Sequence, residues 1–137
     1  MNQVEALQAA LAGEHAALYG VGVAGGKLSG ARFRDANDTF EVHRDNRDRL
    51  SALLVAAGET PVAAQPAYDL PQVVSNTATA TALVLLIERR IVGVYGDLVE
   101  AAEQPAVRAF AIEALLRYAA IQLTWGGAPV AFPGATA

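Results

Sequence analysis

Three prolines at five-residue spacing, Pro61, Pro66 and Pro71, stand in the middle of a chain otherwise patterned for helix. Proline lacks the N–H an inner helical turn needs and its ring clashes with the preceding turn, so no helix continues through them. Residues 59–76 show no apolar periodicity, and they read as a stiff, extended connection rather than a flexible one. Roughly 18 extended residues span on the order of 60 Å. Whatever lies before this link and whatever lies after it must therefore pack as two separate helical units.

Each unit reads as a pair of helices. The first helix runs from about Asn2 to Leu28, with Val4, Leu7, Leu11, Leu18 and Val21 spaced by threes and fours. Glycines at 25, 26 and 30 mark a short turn, and a second helix runs from about Ala31 to Ala57 on a stripe of Phe33, Ala36, Phe40, Leu50, Leu54 and Ala57. Gly58 suits the residue after its end. After the link, Asn76 is placed to cap a third helix from Thr77 to about Ala102. Pro105 fits the first turn of a fourth, which continues to about Trp125. Short turns make each pair antiparallel. Helices of about 26 residues are roughly 39 Å long, so the link is long enough to cross from one end of a bundle to the other. Residues 1–125 are thus expected to form an all-α four-helix bundle, two antiparallel hairpins joined by a long crossover. A tail, 126–137, in which Pro129 and Pro133 forbid helix, is expected to pack on it.

Extending each stripe shows where ionisable groups interrupt it. On the first helix the series 4, 7, 11, 14, 18, 21 places Glu14 on the apolar seam. On the second, the series 33, 36, 40, 43, 47, 50, 54 places His43 and Arg47 there. On the third, Glu88 falls between Val84 and Ile91. An isolated charge in such a position costs several kcal/mol, so groups from three helices are expected to meet and pair. The fourth helix has two apolar sides. Ile112, Leu115, Leu116, Ala119 and Leu123 define one face, on which Arg108 also lies, and Val107, Phe110 and Ile121 define the opposite one. Glu113 sits to the side of the first. Helices that are apolar on most sides are covered on most sides, which points to a homodimer.

The composition narrows the partners. A net charge of −4 with a single lysine, Lys27, leaves no basic stripe for nucleic acid. The longest apolar stretch, Ala78 to Ile87, is too short to span a bilayer. The absence of cysteine removes disulfides, thiolate metal sites and thiol nucleophiles. Met1-Asn2-Gln3-Val4-Glu5 has neither a basic start nor an apolar core, so it is not a secretory signal, and a cytoplasmic protein is expected.

With Glu14, His43 and Glu88 on three helices, the chain resembles the ferritin-like superfamily, and more narrowly a family of uncharacterised actinobacterial ferritin-like domains. The matching stretches are Ala12 to Gly20, His43 to Leu50, Pro66 to Pro71, Leu86-Ile87-Glu88 and Ala131-Phe132-Pro133-Gly134. The resemblance implies a ferritin-like bundle. Di-iron members place one Glu on each of two helices and Glu-x-x-His on each of the other two. Glu14 and Glu88 match the single acids and His43 matches one histidine. Phe40 stands where the acid before that histidine belongs, Glu113 is followed three residues later by Leu116, and no histidine occurs after position 43. A di-iron centre is not expected, nor any other cofactor. The leading expectation is a non-enzymatic domain in which Glu14, His43, Arg47 and Glu88 form a buried ionic network in place of the metals. The alternatives are a single metal ion held by Glu14, His43 and Glu88, or a small-molecule carrier whose pocket is roofed by the crossover and the tail. His15, beside Glu14, is read as a flanking histidine.

Overall fold

The computed structural model describes residues 1–135 and contains four helices: α1 Gln3–Gly25, α2 Gly30–Ala56, α3 Thr77–Ala101 and α4 Pro105–Thr124. Among the described residues there is no strand, and no helix is long and apolar enough to cross a membrane. The last two residues of the expected tail lie outside the described residues.

Local chemistry sets the helix ends. Asn2 caps α1 and Asn76 caps α3, each within a reciprocal capping box with the third residue of its helix, Glu5 and Thr79 respectively. The cap expected at Asn76 is present. α1 stops at Gly25, three residues before the expected Leu28, because paired glycines weaken its last turn. Gly58 follows α2 at φ 79°, a conformation that favours glycine, and its N–H bonds Val55 while that of Glu59 reaches back to Leu54.

Two apolar clusters establish the helix directions. One joins the start of α1 (Ala6, Leu7, Leu11), the end of α2 (Leu50, Leu54), the second half of α3 (Ile91, Tyr95, Leu98) and the first half of α4 (Val107, Phe110, Ala114). The other joins the end of α1, the start of α2 at Ala36, the start of α3 (Ala80, Leu83, Val84) and Trp125 after α4. α2 and α3, which lie diagonally across the bundle, are therefore parallel, and every adjacent pair is antiparallel. α1 packs on both α2 and α3, and α3 on α4, and of the four neighbouring pairs that of α2 and α4 is the loosest.

A chain leaving the end of α2 must travel the length of the bundle to begin α3. It does so along α1. Gln8 donates to the Thr60 carbonyl at 2.8 Å and accepts from the Val62 N–H at 2.9 Å, His15 Nε2 meets the Val62 carbonyl at 3.0 Å, and Tyr68 packs its ring 5.9 Å from that of Tyr19. His15 is thus a flanking histidine, spent on holding the crossover.

Helix 4 turns its other side inward. Val107, Phe110, Ala111, Ala114, Leu115 and Tyr118 are buried, whereas Ile112, Leu116 and Leu123 are exposed, so of the two apolar sides read from the sequence the one with Ile112, Leu116 and Leu123 is largely the outer one. Phe33, expected on the α2 seam, is likewise half exposed. Beyond α4, Gly134 lies against α3. A Cβ added at Gly96 would stand 2.6 Å from the Gly134 carbonyl oxygen. Because that neighbour is backbone, Gly96→Ala is expected to cost about 1–3 kcal/mol through overpacking. A thermal melt matching the parent would show that the segment moves aside freely.

Candidate functional site

The three acids and bases on the seams do meet. Glu14 of α1, His43 of α2 and Glu88 of α3 have no solvent exposure and form one hydrogen-bonded chain across the middle of the bundle. His43 Nδ1 lies 2.6 Å from Glu14 Oε2, and His43 Nε2 lies 2.6 Å from Glu88 Oε1. With both acids ionised each carboxylate only accepts, so both ring nitrogens donate and the ring is imidazolium. Burial by itself would depress the His43 pKa. The Glu88 charge and the hydrogen bond to Glu14 outweigh it and lift the ring from 6.5 to about 10.

Two tyrosines complete the Glu14 side. Tyr95 Oη of α3 and Tyr118 Oη of α4 each donate to Glu14 Oε1 at 2.7 Å. Glu14 therefore accepts three hydrogen bonds. Asn46 Nδ2, one turn beyond His43, donates to Tyr118 Oη at 3.1 Å. The Tyr118 ring also stacks on the His43 ring, with centroids 4.6 Å apart and planes 19° from parallel. Burial, then the neighbouring Glu14 charge, pushes both phenols well above their ordinary range. Both stay protonated and act as donors.

The Glu88 side is less complete. Its Oε2 is buried with no hydrogen-bond partner, and its pKa is raised by burial while the His43 charge pulls it back. Gln122 of α4 reaches only the Glu88 backbone carbonyl, at 3.5 Å. One carboxylate thus has both oxygens engaged and the other only one.

Arg47 does not join this cluster. Its guanidinium pairs with Asp48 at 2.9 Å, with about a third of the side chain exposed. The position three residues after His43, not four, faces inward, and it holds Asn46. Arg108 bonds the Val99 and Ala102 carbonyls at the end of α3, where its charge suits the helix terminus. Glu113 pairs at 3.6 Å with Arg49 on the surface. Neither arginine nor Glu113 neutralises the buried acids. Sequence reasoning missed Tyr95, Tyr118 and Asn46 as members. Tyr95 was visible as a seam position on helix 3 and Asn46 as the i+3 neighbour of His43, whereas nothing local marked Tyr118.

Residues 6–137 match the family described as Domain of unknown function (DUF4439). The chain belongs to that family. It is also similar to the crystal structure of a conserved hypothetical protein, rv2844, from Mycobacterium tuberculosis, with 34% identity and a TM-score of 0.88 over 96% of each chain. No curated protein matches the sequence.

In this DUF4439 chain the donor set is poorly suited to a metal ion. Among the described residues no group of three or more His, Asp or Glu side chains is arranged to hold one. The imidazole would have to give up a proton and a carboxylate contact to offer a lone pair. The Tyr118 hydroxyl links the network to α4, so Tyr118→Phe is expected to leave Asn46 Nδ2 unpaired and to remove one donor from Glu14. The expected cost is about 1–3 kcal/mol in denaturant unfolding, with the helical content kept. A change within error would mean that water replaces the hydroxyl.

Proposed function

We propose that this domain is a non-enzymatic ferritin-like bundle, working through association as a homodimer, in which a buried ionic network stands in place of a di-iron site. The observation that carries the reading is the double engagement of His43, whose two ring nitrogens are each 2.6 Å from a carboxylate oxygen. A protonated imidazole between two acids supplies internally the positive charge that metals would otherwise bring to a carboxylate cluster. It also ties α1, α2 and α3 together in one plane, and Tyr118 adds α4 to it. Four helices joined through one polar layer have a preferred axial alignment, because sliding any of them leaves buried partners unmatched.

Elemental analysis of protein purified without chelators tests the proposal. The expected result is no stoichiometric iron, manganese or zinc, with thermal unfolding unchanged by EDTA. Stoichiometric metal that is lost in His43→Ala would replace this reading with that of a protein binding one ion through Glu14, His43 and Glu88.

A further inference from the structure

Five of the large apolar side chains left exposed gather on one side of the bundle. Ile112, Leu116 and Leu123 are 42%, 55% and 50% exposed on α4, and Val130 and Phe132 beyond it are 62% and 78% exposed. Leu123, Val130 and Phe132 line a common crevice with Ala119 and Ala120, so the helix stripe runs without a break into the segment that follows. Of the other exposed large apolar residues, Phe33 and Val55 stand near opposite ends of α2 and Val73 lies in the crossover, so they form no common patch.

We infer that this face of α4 is where two copies of the chain pack, with their α4 helices antiparallel about a two-fold axis near Leu116. The inference rests on the homodimer reading above and gives it a surface. Ile112, Leu116, Ala119 and Leu123 follow one another at intervals of four, three and four residues. That spacing forms a straight seam which can interdigitate with its own copy. A two-fold contact requires such a self-complementary patch, since each residue meets the same set on the partner. Charge agrees with the geometry. Glu113, which also lies 3.6 Å from Arg49, and Arg117 flank the seam on the α2 side, one turn apart and both exposed. An antiparallel copy centred near Leu116 brings Glu113 of one chain within a turn of Arg117 of the other.

Size agrees as well. A 20-residue helix is roughly 30 Å long at 1.5 Å per residue. With the 128–135 segment alongside, the face is some 20 Å wide, or roughly 600 Å² on each copy. This is the lower edge of the roughly 600–1,000 Å² per partner that specific interfaces bury, so the dimer should dissociate on dilution. A lipid surface suits the face less well, because membrane-lying helices flank their apolar side with Lys and Arg. Here the flank carries an acid beside a base, and the chain has a net charge of −4.

Sedimentation of the full chain over a concentration series reads the assembly directly. The wild type is expected to shift from monomer to dimer with rising concentration, and Leu116→Arg to remain monomeric at the concentration where the wild type is dimeric. Val55→Arg, which changes an exposed residue on α2, is expected to dimerise like the wild type. The chain has no cysteine, so a single introduced thiol reports on one position. Leu116→Cys is expected to give a covalent dimer under mild oxidation, and Val55→Cys is not. That measurement does not depend on how well the arginine variant folds. A wild type that stays monomeric throughout would overturn the homodimer reading and the face together. A dimer that survives Leu116→Arg and gives no cross-link at position 116 would overturn the face alone.

Discussion

Replacing His43 with alanine is expected to lower the unfolding free energy by about 3–5 kcal/mol, the range for removing one partner of a buried ion pair. At this chain length that corresponds to a fall in Tm on the order of 10–20 °C. The reason is electrostatic before it is steric. Among the described residues the ring is the only cation in contact with Glu14 and Glu88, both of which have no solvent exposure. Without it, two carboxylates face each other across a cavity in a dry core. Glu14 keeps its two tyrosine donors at 2.7 Å, whereas Glu88 is left with no side-chain partner at either oxygen. Two further measurements separate charge from lost volume. Acidification towards pH 4 should return part of the loss by protonating the stranded carboxyls, and combining His43→Ala with Glu88→Gln should cost less than the two single changes added together. A deficit below about 1 kcal/mol, insensitive to pH, would show that water or protons satisfy the acids at little expense and that the imidazolium is not what binds the layer.

The second large effect is a loss of stability on the alkaline side. His43 has a pKa raised from 6.5 to about 10 by the Glu88 charge and its bonds to the two acids, against the opposing effect of burial. A group whose folded pKa lies above its unfolded value contributes stability that is complete below the unfolded pKa and disappears as pH passes the folded one. The His43 contribution is therefore whole below about pH 6.5 and gone above about pH 10. Glu88, also raised, acts with the same sign from its own ordinary range upward. Each proton held by the native state but not by the unfolded chain gives a slope of about 1.4 kcal/mol per pH unit. Urea midpoints are thus expected to fall between pH 7 and pH 9 by the equivalent of roughly 2–3 kcal/mol.

Glu88→Gln gives the control for that slope. A neutral His43 can still donate from Nδ1 to Glu14 and accept at Nε2 from the new amide, so the layer stays satisfied while the Glu88 charge, the larger of the two that raise the ring, is gone and only Glu14 still raises it. This variant should fold and should show a smaller alkaline loss than the wild type. A wild type as stable at pH 9 as at pH 7 would mean that the ring is already neutral at pH 7.

How the layer is built also bears on what the domain can do. Glu14 already accepts three hydrogen bonds in this arrangement, with both oxygens engaged, and a doubly donating His43 offers no lone pair. Only Glu88 Oε2 is unengaged, and it is closed off from solvent. Two of the crevices that open on the bundle are lined elsewhere. One, of about 190 Å³, lies between α1 and α3 beneath Tyr68 to Pro71, and the other, of about 410 Å³, lies beside α3 and α4 under residues 128–135. Neither touches Glu14, His43 or Glu88.

Much of the fold was legible from residue order alone. Helix periodicity, asparagine caps and the proline-rich link are local properties, decided within a few residues, and their boundaries held to within three residues at α1 and fewer elsewhere. The positions of Glu14, His43 and Glu88 were legible for the same reason, since a charge inside an apolar repeat stands out whatever it later touches. What only the tertiary structure decided is which neighbours complete the layer. Asn46 and Arg47 sit three and four residues after His43, on either side of a seam that advances 3.6 residues per turn, and nothing local chooses between them. Packing chose the smaller amide for the interior and left the guanidinium on Asp48. α4 posed the same ambiguity on a larger scale, with two apolar sides and no internal signal to rank them. The inward side was selected by the space between α2 and α3, which Phe110 and Tyr118 fill. That selection brought the Tyr118 hydroxyl onto Glu14 and left Ile112, Leu116 and Leu123 outside.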